Sequence, residues 1–238
     1  MTSCVDVLDD IQLHMRNKQY DKVITQCSEL FITYPQNTEY LDYLMNAYNA
    51  INDTTKMIKG VELLIKQLPN INNSPQLAPS YCILHNYLAM AYHNCNNNSK
   101  AVDCYNKIIS VNNGIPDIYN NIAICHIALK EYNKAIICSK ISLRLKEADS
   151  TYRILANTSM YVKKYKDSIR YYESITHPTT DDLYNTSFPY LASKQYIKGF
   201  ELYENRLASN YICPQTNQIT RAEVPIPYWD GKEKCNHL

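Results

Sequence analysis

Lys130-Glu131-Tyr132-Asn133-Lys134-Ala135 returns along the chain as Lys18-Gln19-Tyr20-Asp21-Lys22-Val23, Lys163-Lys164-Tyr165-Lys166-Asp167-Ser168 and Lys194-Gln195-Tyr196-Ile197-Lys198-Gly199. Each copy reads Lys-x-Tyr-x-x-small, or nearly so, and leads into an amphipathic run. Asn98-Ser99-Lys100-Ala101 is a degenerate copy that has lost its tyrosine. The spacing is regular: Pro35 to Pro69 and Ala101 to Ala135 are 34 residues, and Ala135 to Ser168 is 33. A period of this length marks a stack of helical hairpins. One hairpin cannot bury its own apolar faces, so its neighbours must cover them.

Apolar residues at i, i+3, i+4 and i+7 give each predicted helix a buried stripe. Small residues at Ala89, Ala101, Ala123, Ala135 and Ala156 let paired helices approach closely. A terminal proline cannot continue the helix and sets the turn into the next unit.

Composition agrees with a helical reading. Only four glycines stand against 22 tyrosines in 238 residues. Tight hairpins and phosphate loops need residues that tolerate positive φ, so an all-β or Rossmann-type chain is disfavoured. Lysine and arginine number 24 and aspartate and glutamate 23, a net charge of +1. That balance removes the electrostatic footprint of a general nucleic-acid binder and offers no polybasic patch to an anionic membrane. Apolar runs such as Ile136-Ile137-Cys138 are too short to span a bilayer. Met1-Thr2-Ser3-Cys4-Val5-Asp6 lacks the basic start and apolar core of a signal peptide. A cytoplasmic location is expected.

The period and its slot residues resemble the tetratricopeptide repeat (TPR) family over nearly the whole chain. In the second unit Leu41, Leu44 and Tyr48 fill the first-helix slots, with Leu64 and Pro69 closing it. The fourth has Tyr119, Ile122, Ala123, Tyr132 and Ala135, and the fifth has Tyr152, Leu155, Ala156, Tyr165 and Ser168. The resemblance implies an all-α, right-handed α-solenoid of about six hairpins. The units run over 4–35, 38–69, 80–113, 116–147, 149–178 and 180–210, a repeat domain at 1–210 followed by an extended tail at 211–238. Residues 70–79 are an insertion, because Tyr48 to Tyr92 is 44 residues, and their Asn and Pro content predicts a surface loop. Ser168 to Gly199 is only 31, which predicts a tighter turn near His177-Pro178.

In that family the first helices line a concave groove for extended peptides. The resemblance places Asp9, Gln12, Asp42, Tyr43, Asn46, Asn49, Asn86, Tyr87 and His93 there, continuing with Asn120, Asn121, Arg153, Asn157, Tyr184 and Asn185. Carboxamides donate and accept together, so a ladder of them can grip a peptide backbone whatever its side chains. Related solenoids of the O-linked N-acetylglucosamine transferase type use such a ladder. The alternative is compositional bias, since Asn is abundant in loops such as Asn96-Asn97-Asn98 as well. A two-carboxylate clamp for chaperone tails needs several cations, and the corresponding slots hold Leu8, Gln12, Tyr43, Asp117 and Asn121. Arg153 alone supplies a groove cation.

No motif predicts catalysis, a cofactor or a metal. GxSxG, P-loop, HExxH and GxGxxG patterns are absent. The nine cysteines are odd in number and without CxxC spacing, which fits small buried apolar side chains better than a disulfide framework or a zinc site. Of the dispersed histidines, His85 and His126 fall in first-helix packing slots and read as satisfied core residues. Asp9-Asp10 and Asp181-Asp182 read as helix-start caps.

Gly199-Phe200-Glu201-Leu202-Tyr203-Glu204-Asn205-Arg206-Leu207, followed by Pro227-Tyr228-Trp229-Asp230-Gly231, is similar to the junction between a TPR array and a glycosyltransferase-like domain. The resemblance covers the junction alone, and the glycosyltransferase-like domain itself is expected to be absent here. The functional expectation is a non-enzymatic module that binds a peptide or partner protein. The alternatives are the substrate-recognition arm of a TPR-glycosyltransferase system, with a glycosyltransferase-like partner domain, and self-assembly through the end faces.

Overall fold

The computed structural model describes residues 4–207, which hold twelve α-helices and no strand. They pair as hairpins: α1 (Cys4–Arg16) with α2 (Tyr20–Thr33), and α3 (Glu39–Ile51) with α4 (Thr54–Gln67). Next come α5 (Ala78–Asn94) with α6 (Asn98–Val111), and α7 (Pro116–Ala128) with α8 (Tyr132–Leu145). Last come α9 (Asp149–Tyr161), then α10 (Tyr165–Glu173), and α11 (Thr180–Ala192) paired with α12 (Tyr196–Tyr203). The chain divides into two units after Thr158, inside α9.

Within every hairpin the turn carries one residue in the left-handed conformation: Lys18, Asn52, Asn96, Lys130, Lys163 and Lys194, with φ between 56° and 64°. The opening lysine of the recurring motif is therefore a helix stop. Its side chain is long and costs about 1 kcal/mol in this conformation, where glycine would cost nothing. Paired backbone bonds compensate. The Lys130 N–H donates to the Ile127 carbonyl and the Glu131 N–H to the His126 carbonyl, at 2.9 and 2.8 Å. This is a Schellman closure. Lys18, Asn96, Lys163 and Lys194 are closed in the same way. At α3–α4 the Asn52 N–H instead bonds the Tyr48 and Asn49 carbonyls.

Counting from these turn residues puts every helix in one register. The first-helix slot reads Ile11, Met45, Ala89, Ala123, Ala156 and Ser187, all fully buried. The second-helix slot reads Val23, Met57, Ala101, Ala135, Ser168 and Gly199. In the first unit the core runs through Phe31, Leu41, Leu44, Val61, Leu84, Tyr105 and Ile108. Backbones approach closely along α5–α6 and α7–α8, where both slots hold alanine, and far less along α1–α2 and α3–α4, where both are bulky. In the second unit α11 and α12 are again close. A Cβ at Gly199 would stand 2.6 Å from Leu191 Cδ2, so a larger residue there would have to displace the Leu191 side chain.

Hairpins in sequence are joined by side chains as well as by apolar packing. The Tyr92 hydroxyl of α5 donates to Glu62 of α4, and Tyr190 of α11 donates to Glu173 of α10 at 2.6 Å. The two pairs occupy the same register. Burial, then the adjacent carboxylate, pushes each phenol up to about 12.

Several expectations need correction. Residues 70–79 do not form a wholly open loop: Pro75–Leu77 make a 3-10 turn, Leu77 is buried, and α5 begins at Ala78. Ser80 Oγ donates to the Pro35 carbonyl at 2.6 Å, tying the start of α5, just after the insertion, to the first interhairpin turn. The shortened last step comes from α10, only nine residues long. After it, Thr179 and Asp182 form a reciprocal capping box. Asp182 is buried in that box rather than solvated. Asp9-Asp10 lies past the first turn of α1, so it caps nothing. The tail at 211–238 lies outside the described residues.

Candidate binding face

In the first unit the first helices follow one another through direct contacts. Gln12 Nε2 of α1 donates to the Tyr43 hydroxyl of α3 at 3.0 Å. Helices α3 and α5 share a depression of about 90 Å³ lined by Asn49, Asn52, Tyr87, Met90 and Asn94. Helices α5 and α7 share a second, about 180 Å³, lined by Met90, His93, Asn94, Asn121 and Ile124. The two adjoin, since Met90 and Asn94 border both. From α7 the Asn120 Nδ2 reaches Thr151 Oγ1 of α9 at 2.9 Å.

These contacts sort the expected groove residues. Asn46, Asn49 and Asn157 are exposed, and Tyr43, Asn86, Tyr87, Asn121 and Arg153 are half-buried. Asn120 does not stand with them. It is 7% exposed, and its amide is spent on Thr151. Its register position puts it where α7 meets α9, whereas the sequence reading places it on the open side. Its Oδ1 has no partner among the described residues, nor has the buried Oδ1 of Asn86, whose amide reaches only the Met90 sulfur. In the second unit Tyr184 and Asn185 are half-buried. There Tyr184 packs against Phe188 and Tyr203, with ring centroids 5.0 and 5.5 Å away.

Two residues of this face are missing from the sequence reading. Counted from the turns, one outward position per first helix in the first unit reads Gln12, Asn46, Met90, Ile124 and Asn157. Its third and fourth members are apolar: Met90 is 43% exposed and Ile124 is 39% exposed. Their chemistry carries no sign of an open position, and only the register reveals it. The carboxamide row is therefore interrupted by an apolar step. Neither depression is lined by lysine or arginine.

Burial, with Asp42 nearby, raises the Tyr87 phenol. His93 Nδ1 sits 2.6 Å from Asn98 Oδ1, and His126 Nδ1 sits 2.7 Å from Glu131 Oε2. Hydrogen bonds from Lys134 and then His126 hold the Glu131 carboxyl below its usual range. His85 is buried as expected but not satisfied: its Nδ1 has no partner among the described residues. Burial, with Lys107 beside it, lowers its pKa to about 4.

The cysteines offer no reactive thiol among those most buried. Burial pushes Cys27 up to about 12 and Cys104 and Cys125 up to about 11, so all three stay protonated. Cys95, expected inside, is exposed. Among the described residues no three His, Cys, Asp or Glu side chains group to hold a metal ion. No described helix is long and apolar enough to cross a membrane.

No curated protein matches the sequence. Residues 85–114, which cover most of hairpin α5–α6 and the turn after it, match the family model for the tetratricopeptide repeat. Solved structures share the fold at low identity. PilW, a widely conserved type IV pilus biogenesis factor, is 16% identical with a TM-score of 0.59, covering 84% of this chain and 90% of its own. MamA is 14% identical with a TM-score of 0.54, covering 70% and 98%. Nearly identical TPR-like repeats of a Podosopora anserina kinesin light chain are 14% identical with a TM-score of 0.58, covering 72% and 93%. Hairpin α5–α6 thus carries a tetratricopeptide repeat, and the chain has the all-α fold of tetratricopeptide-type solenoids.

Proposed function

We propose that the chain is a protein-interaction module whose first unit holds an extended peptide along α1, α3, α5, α7 and α9. The observation that carries this reading is the pair of adjoining depressions around Met90 and Asn94, bordered by Asn49, Tyr87, Asn121 and Ile124. Exposed Met90 and Ile124 seat an apolar side chain, and the flanking carboxamides meet the peptide's backbone N–H and C=O groups. Methionine adapts to the shape of what it meets. With Arg153 the one cation among the expected groove residues, acidic peptides have little to pair with there. The occupant is an uncharged segment with one apolar anchor.

Selection from a random peptide library against the immobilised protein tests this. Selected sequences should carry an apolar residue in an otherwise uncharged stretch. Their binding should fall about tenfold or more in Met90→Arg and Ile124→Arg and roughly two- to fivefold in Asn121→Ala with Asn157→Ala, as expected for an interface anchor against peripheral hydrogen bonds. Ile137→Arg, on the exposed face of α8, should leave binding unchanged. Acid-rich selected peptides, or binding indifferent to Met90 and Ile124, would remove the face from the reading.

A further inference from the structure

Helix α12 is unlike every other second helix in what it shows to solvent. Three residues past the left-handed turn the other hairpins carry Asp21, Thr55, Ser99, Asn133 and Lys166, all polar and outward. The same position in α12 is Ile197, and it is 91% exposed. Six residues past the turn the others carry Ile24, Ile58, Val102, Ile136 and Ile169, each buried or half-buried. In α12 that position is Phe200, 59% exposed. Tyr196 is exposed as well, whereas Tyr20, Tyr132 and Tyr165 at its position are half-covered. Residues 196, 197 and 200 are spaced by one, three and four, so they form one apolar face. Two of these positions are covered in the other hairpins. Ile197 has no such precedent and calls for a cover of its own.

We propose that this face is the docking site of the chain's own segment Val224-Pro225-Ile226-Pro227-Tyr228-Trp229. The segment is the most apolar stretch after Leu207 and includes the single tryptophan. Two prolines two residues apart each remove a helix hydrogen-bond donor and bias the residue before them away from helical backbone, which suits a strap better than a further hairpin. Sixteen residues separate Leu207 from Val224. That linker reaches up to about 50 Å, several times the length of α12, about 12 Å. A tether of this length holds the segment near α12 at an effective concentration of order millimolar, far above that of a second copy at working dilution. Trp229 brings a large ring that gains by burial. The site is separate from the peptide face of the first unit and stands or falls without it.

Trp229 is the only indole in the chain, so its fluorescence reads the strap directly in the full-length protein. Its emission should be blue-shifted and weakly quenched by acrylamide at every protein concentration. Ile197→Lys copies the residue that α10 carries at this position, so the helix should survive, as far-UV circular dichroism would show. In that variant the emission should move to that of hydrated indole, with quenching raised severalfold. Ile137→Lys, on the exposed face of α8, should change neither reading. The proposal is overturned if wild-type Trp229 already emits as hydrated indole, or if Ile197→Lys leaves a blue shift intact. It is also overturned if the blue shift fades on dilution alongside dissociation in sedimentation, because a second copy is then the cover.

Discussion

Hairpins α3–α4 and α7–α8 are built on one register yet are packed in opposite ways. Both facing slots of α3–α4 hold methionine, Met45 and Met57, and the two backbones lie apart. Both slots of α7–α8 hold alanine, Ala123 and Ala135, and the backbones run close together. One topology thus accommodates two separations, set by side-chain volume at a single level of the hairpin. The depression by Asn49 and Met57 lies beside the wider pair. The hairpin matching the tetratricopeptide model carries Ala89 and Ala101 in the same slots. The first two hairpins reach the same fold without small residues there.

The largest effect that tests this difference is expected from truncation and overpacking. Met45→Ala and Met57→Ala should each cost about 3 kcal/mol in urea unfolding, through lost apolar burial and the cavity left behind. If α3 and α4 are held apart only by these side chains, the double variant should lose less than the two singles together, because the helices can then close. Strict additivity would mean the separation is fixed elsewhere. Conversely, Ala135→Met should cost about 2 kcal/mol, since α7 and α8 have no room to part without disturbing their neighbours.

A smaller effect separates α5–α6 from both. His85 occupies the slot that Leu41 fills in α3, buried and with Nδ1 unpaired. Its folded pKa of about 4 lies below the unfolded value of 6.5, so the folded state binds fewer protons. The stability this confers is fully present above pH 6.5 and is lost as the pH falls from there to about 4. The loss should be about 2 kcal/mol once water reaching the ring is allowed for. His85→Leu should flatten that stretch of the stability–pH curve and raise the plateau, and an unchanged slope would assign it to other groups.

The smallest effect concerns the turns. Lys130→Gly should stabilise α7–α8 by about 0.5 kcal/mol, the relief of left-handed strain less the entropy glycine adds to the unfolded chain. Asn52→Gly in α3–α4 should give less still, because asparagine tolerates that conformation. Thermal melting of the two variants side by side checks the order.

The repeat was legible because it rests on local rules. Periodicity, small slots and the Lys-x-Tyr signature place Leu44, Ala101, Ala123 and Ala135 inside without reference to anything distant. What was not legible depends on neighbours far along the chain. Asn120 has the chemistry of a groove residue and is buried by Thr151, 31 residues away. Met90 and Ile124 have the chemistry of core residues and lie open, because their helix faces lack a second layer. The opening lysine of the motif was visible as a repeat, but its left-handed backbone was not, since glycine scarcity pointed away from such turns. Leu77 within the insertion and Ser80 just after it are held by contacts no periodicity records.

The tyrosine–glutamate pairs at α4/α5 and α10/α11 have a consequence for how the array comes apart. At α6/α7 the same two positions hold Asn106 and His126, and His126 turns to Glu131 in its own hairpin. In a linear stack whose stability sums over adjacent joints, unequal joints set where partial opening begins. Amide hydrogen exchange should report α6/α7 parting before α4/α5. The array would then yield as blocks of hairpins, with one of the seams lacking such a pair running beside Asn121 and Ile124.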